Sequence, residues 1–347
     1  MSPPNLFRRG SVRRPLPRRK RVRLWRALGW GTCAQGALPL GGSRSGGLAG
    51  MAIESRGKAP WRGILRRMRQ GTEAAAQVLA PPPPGRQPQA YCYLGDGRAV
   101  ALTHRGQKIF LDTRDLGLTP HIATYGVWEA DVEAVLVRLL RPGHIVAEVG
   151  ANMGYHTLAM AEAIGPAGHI DSFEANPAVL PLLRATLAVN GLNGLVTLHP
   201  VAALDAPGQV EFTSDPDHIG SGHLALEGET ANYSRRARVP AVTLDGALAA
   251  VPALDLLRMD AEGSEPQILR GALALLMRSP DLRIVTEWSA PMMAVRSDLQ
   301  ALVHWLHGEL DFSFWRIGSA GALDPVSVEA LPGLPHGEVV MARQQPG

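Results

Sequence analysis

From residue 144 to the end of the chain, short apolar runs alternate with longer segments whose apolar residues recur every three or four positions. The short runs read as buried strands and the longer segments as amphipathic helices. Strands are predicted over 144–149, 169–174, 195–203, 254–260 and 282–288, and helices over 155–164, 177–190, 265–277 and 297–309. Asn176 is a candidate N-cap for the second helix and Pro177 suits its first turn, whereas Pro181 sits awkwardly inside it. Gln209–Thr213 and Arg238–Val242 interrupt the alternation as an antiparallel insertion around a polar loop, Ser214–Arg236. The last two strands, Phe312–Ile317 and Gly337–Ala342, have no helix-length segment between them and should pair antiparallel. The pattern predicts an α/β fold whose mostly parallel sheet is covered on both faces.

Upstream the pattern changes. Tyr91–Leu94, Ala99–Thr103 and Lys108–Asp112 read as short strands joined by glycine turns, a small antiparallel β unit over 89–125. A helix over Trp128–Leu140, with Val132, Val135, Leu136 and Leu139 on one face, opens the main domain at 126–347. A short helix is predicted over 58–80, and Pro81–Gly85 follows it as a linker. Residues 1–50 are rich in Arg, Pro and Gly without periodicity, so 1–88 is expected to be a basic, disordered tail and linker. Met51 is an alternative start, and a basic arm for an anionic surface is the functional alternative.

Charge changes the picture by where it lies. The first 50 residues hold 11 of the 35 basic residues and no acid, which leaves 24 basic against 31 acidic groups, a net of −7, for the rest. The body is therefore mildly acidic and gives no electrostatic reason to expect nucleic acid as a partner. Two cysteines, Cys33 and Cys92, make neither a disulfide framework nor a zinc site, and reduced thiols suit a cytoplasmic location. No run of 18 apolar residues exists, so no membrane-spanning helix is expected. The histidines lack metal-ligand spacing, and there is neither a Gly-x-Ser-x-Gly elbow nor a Walker loop.

In a doubly wound sheet, ligands sit beyond the carboxyl ends of the strands. Here those ends supply Glu148 with Gly150–Gly154, then Glu174, then Ala202, Ala203 and Asp205, then Asp260 and Glu262, then Glu287. Strand, glycine turn and helix over Ile145–Ile164 is how such folds build a nucleotide site. Glu174 lies 24 residues after Gly150, where an acid accepts from the two hydroxyls of a ribose. Glu148 either orients the glycine loop or meets a cationic group of the ligand. Asp260, Glu262 and Glu265 exceed what capping the next helix needs, which marks a site carboxylate, a hydroxyl acceptor or a general base. Glu287 either faces the same crevice or pairs with Arg258 or Arg283. His156 is close enough to the loop to reach a substrate, though a structural role suits it better.

In order, Glu148-Val-Gly-Ala-Asn-Met-Gly-Tyr, Phe173-Glu-Ala-Asn-Pro, Asn190-Gly-Leu, Val242-Thr-Leu-Asp245, Met259-Asp-Ala-Glu-Gly-Ser-Glu, Ile268-Leu-Arg-Gly-Ala272 and Val285-Thr-Glu-Trp288 resemble the FkbM family of S-adenosylmethionine-dependent methyltransferases. Asp112-Thr-Arg-Asp115 and Gly126-Val-Trp-Glu129 look like the segment that precedes that family's core. The chain departs from the family at Glu148, where Asp is usual, and at Ala175, where Pro often follows the acid. The resemblance implies a Rossmann-like methyltransferase fold of seven strands, the last antiparallel. It implies S-adenosylmethionine as co-substrate and O-methylation of a small-molecule, sugar or polyketide hydroxyl, so the expected partner is a small-molecule or glycan acceptor. Gly150, Asn152 and Gly154 would line the methionine part of the donor and Glu174 its ribose, with Glu148 and Ala203 as further donor-site candidates. Asp260 is the first candidate for base or hydroxyl-orienting group, followed by Glu262 and Glu287, and the loop Asp215–Tyr233 is a candidate cover over the substrate. The alternatives are a nicotinamide-dependent oxidoreductase on a similar sheet, which calls for a closer glycine pair than Val149-Gly-Ala-Asn-Met-Gly154 offers, and a non-catalytic binding protein that kept the fold.

Overall fold

The structure is a computed structural model that describes residues 90–225 and 235–347. The expected tail, linker and 58–80 helix lie outside the described residues. β1 (Tyr91–Gly95), β2 (Arg98–Leu102) and β3 (Lys108–Asp112) pair antiparallel in sequence order. Ala101, Ile109 and Leu111 from this sheet bury against Met153, Leu158 and Leu182.

Next come α1 (Leu118–Tyr125), α2 (Ala130–Leu139), β4 (Ile145–Val149), α3 (Tyr155–Ile164), β5 (His169–Phe173), α4 (Leu180–Val189) and β6 (Val196–His199). An insertion follows, made of β7 (Ala202–Ala203), β8 (Gly208–Asp215), β9 (His218–Leu224) and β10 (Arg235–Val242). The chain then returns through α5 (Leu244–Ala247), β11 (Leu256–Met259), α6 (Glu265–Arg270), α7 (Leu273–Arg278), β12 (Arg283–Trp288), α8 (Ala290–Met293) and α9 (Leu299–Gly308). It ends with β13 (Ser313–Ile317), β14 (Leu323–Val326) and β15 (Gly337–Ala342).

The main sheet has the order β14-β13-β15-β12-β11-β4-β5-β6. β12, β11, β4, β5 and β6 run parallel, and β15 runs antiparallel to both β12 and β13. This is the expected Rossmann-like arrangement with one addition, since β14 extends the edge as an eighth strand. One apolar layer on the sheet, built around Leu257, Ile268, Ile284 and Phe312, joins α6, α7 and α9 to it. The layer around Val135, Leu136, Val146, Ile164 and Val285 joins α2 and α3 to it. Strand order runs outward from β4 through β5 to β6, then restarts from β11 on the other side of β4. The carboxyl ends of β4 and β11 thus flank the switch point, where neighbouring connections diverge and leave a crevice.

Several elements differ from the expected ones. The strand predicted over 195–203 breaks at Pro200, and its second piece, Ala202–Ala203, pairs with β10 instead. The predicted polar loop Ser214–Arg236 contains a full strand, β9, paired antiparallel with β8. The helix expected from 177 starts at Leu180, so Pro181 falls in the first turn, where a missing N–H costs nothing. Asn176 is therefore not its N-cap; its Oδ1 accepts from Ala178 N at 3.0 Å, a turn preceding the helix. The helix predicted over 265–277 is split at Gly271, where a Cβ would stand 1.9 Å from the Leu204 carbonyl oxygen. Asp245 restarts it, accepting from Ala274 N at 2.9 Å and Leu275 N at 2.7 Å.

Candidate functional site

At the switch point the backbone is crowded. Gly150, with φ +84, follows β4 so closely that a Cβ there would lie 1.8 Å from the Asp260 carbonyl oxygen. Only glycine fits, for both its conformation and its neighbour. Gly154, with φ +93, lets α3 pack on α4, because a Cβ would meet Leu183 Cδ1 at 2.8 Å. Gly154 thus shapes the loop from behind and does not line the crevice.

Glu174, just past β5, ties the crevice together. Its Oε2 accepts from Asn152 N at 2.7 Å and its Oε1 from Asn176 N at 2.6 Å. Each oxygen keeps a second acceptor position. Burial pushes the carboxyl up to about 7 against the pull of those two amides, with Glu148 and Asp260 adding repulsion. Among the described residues, two buried amide atoms beside it lack any partner, Asn152 Oδ1 and Asn176 Nδ2. Buried polar atoms are costly to leave unpaired, so an acceptor and a donor are held ready on either side of Glu174.

The crevice holds about 620 Å³ of empty space, its open mouth included, a size ordinary for small-ligand sites. Among the residues expected from the sequence, it brings together Gly150, Asn152, Glu174, Ala203, Asp260 and Glu262. Three residues fall elsewhere. Gly154 stands behind the loop, as above. Glu148 is fully buried below it, where Oε2 accepts from Thr157 Oγ1 at 2.6 Å and Ser172 Oγ at 2.9 Å, while Oε1 has no partner. Glu287 lies one strand beyond, on β12, outside the lining.

Asp260 has a fixed orientation. Arg258, buried on β11, donates from Nη2 to Asp260 Oδ2 at 2.9 Å and from Nη1 to the Gly150 carbonyl at 2.9 Å. One guanidinium therefore couples the glycine loop to the fourth strand end. It also lies 3.9 Å from Glu129 Oε2, which in turn is 3.0 Å from His156 Nε2. Burial raises the Asp260 carboxyl even against Arg258, with Glu129 adding to the rise. Burial also pushes Glu262 up to about 8, helped by Asp260 and Glu265. Glu265 is occupied in closing its turn, its Oε1 accepting from Ala261 N at 2.7 Å.

Most of the other wall comes from the stretch expected as a covering loop, which the structure forms into strand β9. β9 supplies Ile219, Gly220, Gly222 and Leu224, and β8 supplies Phe212. Asp115 holds β9 in place, accepting from Ile219 N at 3.1 Å as well as from Thr119 N at 2.7 Å. Gly220 and Gly222 bring backbone against the ligand space, and a Cβ on either would fall within 3.5 Å of the Asn152 or Asn176 side-chain amide. The alternate glycines in Gly220-Ser-Gly222 were the available signal, since glycine inside a strand marks a close approach. Arg258 carried a second signal, a cation inside an otherwise apolar strand that needs a buried partner. Of the candidate cover Asp215–Tyr233, residues 226–233 lie outside the described residues. Among the described residues no helix is long and apolar enough to cross a membrane.

Residues 148–314 match the model of the Methyltransferase FkbM domain. The curated relatives include a protein-L-isoaspartate O-methyltransferase from Ignicoccus hospitalis, 37% identical over 79 residues, which are 23% of this chain and 34% of the relative. Another, from Methanothrix thermoacetophila, is 46% identical over 48 residues, 14% of this chain and 23% of the relative. The chain thus spans about a third or less of the length of these relatives. Among solved structures, the O-methyltransferase TomG from Streptomyces achromogenes, in complex with SAM, superposes with a TM-score of 0.37 at 18% identity, covering 62% of this chain and 78% of that one. An O-methyltransferase from Bacillus cereus in complex with SAH gives 0.36 at 14% identity, covering 62% and 79%. Scores this low carry no weight for the fold, which stands on the strand order above.

Proposed function

We propose, from the match of residues 148–314 to the Methyltransferase FkbM domain, that the protein is an S-adenosylmethionine-dependent methyltransferase acting on a hydroxyl of a small-molecule or glycan acceptor. The observation that carries the reading is the Glu174 clamp with unpartnered Asn152 Oδ1 and Asn176 Nδ2 beside it. Those groups fit the donor: Glu174 accepts from the ribose hydroxyls, and the two amides meet its remaining polar groups. The apolar wall of Phe173, Ala203, Phe212 and Leu224 suits a flat base. The donor supplies an electrophilic methyl on a sulfonium.

The chain's part is alignment and proton handling. Gly150 brings backbone within reach of the donor, and β9 covers the crevice, which limits water and favours a reaction that disperses charge. Asp260 is the candidate to orient the acceptor hydroxyl and take its proton as the oxygen lone pair forms the new C–O bond and the C–S pair returns to sulfur. Arg258 holds Asp260 Oδ2, which leaves Oδ1 for the hydroxyl. The upward push that burial gives Asp260 makes it a stronger proton acceptor than a solvated carboxylate. Glu262, at the crevice rim, is the second candidate.

A thermal-shift comparison of S-adenosylhomocysteine with NADH separates this reading from a nicotinamide-dependent enzyme. The expected result is stabilisation by S-adenosylhomocysteine alone. Stabilisation by NADH alone would overturn it.

A further inference from the structure

The registry of the sheet places a second set of acids beside the crevice. Glu148, Arg258, Val285 and Val340 stand opposite one another across β4, β11, β12 and β15. Side chains alternate along a strand, so two positions further on the same face carries Gly150, Asp260, Glu287 and Glu338. Glu287 and Glu338 are direct cross-strand partners. Like charges in that position repel unless something positive lies between them. Glu129 overhangs the row from the residue preceding α2, the helix packed on this face.

Compensation within the protein is incomplete. Arg258 is committed to Asp260, to the Gly150 carbonyl and, at longer range, to Glu129. Among the described residues Glu287 has only the exposed His336 as an ion-pair partner, with Nδ1 at 3.5 Å from its Oε1. Its other oxygen, Oε2, is buried and has no hydrogen-bond partner, in a residue 9% exposed. Burial, and then the acids around it, push Glu287 up to about 10 and Glu338 up to about 8. Among the described residues, no three His, Cys, Asp or Glu side chains converge as a metal ion would require. The row is spread along the sheet instead, with adjacent strands roughly 4.8 Å apart.

We propose that Glu287 and Glu338, opposite each other at the sheet edge next to Asp260, form a subsite for a protonated amine on the acceptor. This rests on the methyltransferase reading and adds a substrate class to it, a hydroxyl compound that also carries an ammonium group. One row position separates Glu287 from Asp260, so the ammonium lies roughly 5–10 Å from the methylated oxygen. The ammonium donates to the Glu287 carboxyl and stabilises the ionised form that burial and the neighbouring acids disfavour, which an uncharged polyol does not.

The test is calorimetric titration of the full chain with glucosamine, ethanolamine and kanamycin, each against its N-acetylated neutral counterpart, with and without S-adenosylhomocysteine. At least one amine should bind about ten-fold or more tighter than its neutral counterpart, and Glu287→Gln and Glu338→Gln should each erase most of that preference. Both variants replace a carboxyl whose charged form burial disfavours with a neutral amide of the same shape, so folding is expected to survive. Circular dichroism checks this, and S-adenosylhomocysteine affinity should stay within about two-fold of the parent. Neutral compounds binding as well as the amines, or no amine binding at all, overturns the subsite. A chain that prefers amines but never binds S-adenosylhomocysteine overturns the donor reading instead and leaves the subsite standing.

Discussion

At the residue scale, Glu174 links the sequence to the chemistry most directly. Its carboxylate joins the glycine loop to the end of β5 through two backbone amides and still lines the crevice. Its folded value of about 7 means that near neutral pH it is only partly ionised, with burial as the main cause. In the proposed donor contact, ribose hydroxyls donate to the ionised form, so binding releases a proton wherever the free protein holds one. Donor affinity should therefore rise with pH, by about three-fold or more between roughly pH 6 and 8. Calorimetry across that range checks it, and Glu174→Gln should lower the affinity and flatten the slope; an unchanged slope in the variant would remove Glu174 from the contact. Gly150, Glu174 and Asp260 were legible because a strand end and the turn after it are set by neighbours in the chain. Arg258 and Glu129 were not, because what matters about them is their meeting, and residues 129 and 258 come together only in the folded sheet.

At the element scale, two of the misread segments, the helix over 265–277 and the stretch that forms β9, share one cause, contact with a distant part of the chain. Gly271 splits the expected helix over 265–277 because the Leu204 backbone, from the end of β7, occupies the space a side chain would take. Gly271→Ala should force that contact apart and cost about 2 kcal/mol or more. Thermal unfolding should show a fall of about 5 °C or more; an unshifted midpoint would mean that the two helices are separated by something other than this contact. β9 was hidden for a related reason. His218–Leu224 has no apolar alternation, and its position depends on Asp115 accepting from Ile219 N, a contact spanning 104 residues of chain. The parallel strands, by contrast, announced themselves through apolar runs of their own, and the antiparallel pairing of β13 with β15 followed from the lack of a helix between them.

At the scale of the whole molecule, the carboxyl edge of the sheet is acidic and partly buried, and that couples the site to stability. Glu262, Glu287 and Glu338 have folded values of about 8, 10 and 8, all above an ordinary glutamate, with burial as the leading cause in each. Over that interval the folded chain holds more protons than the unfolded one. The stability these groups contribute is therefore fully present below about pH 4.5, the ordinary glutamate value, and declines as pH rises from there through 8 and beyond. Glu129 and Asp112 act in the opposite sense. Burial would raise both, but His156, Arg258 and His336 together outweigh it at Glu129, and Arg114 with Arg235 at Asp112, so their contribution is lost only as pH falls through the acid range. The unfolding midpoint should peak on the acid side of neutrality and drop toward about pH 9, with a shallower drop in Glu287→Gln. A midpoint that climbs toward pH 9, or one that responds identically in the variant, contradicts this electrostatic picture. The same acidic edge is where donor and acceptor are proposed to meet.

The most direct measurement is mass spectrometry of hydroxyl-bearing small-molecule extracts, incubated with the full chain and methyl-labelled S-adenosylmethionine. Appearance of a compound heavier by one labelled methyl on oxygen, dependent on the protein and lost in Asp260→Asn, is the expected result. Intact donor after prolonged incubation, with no labelled product from any extract, would contradict the assignment of this crevice to methyl transfer.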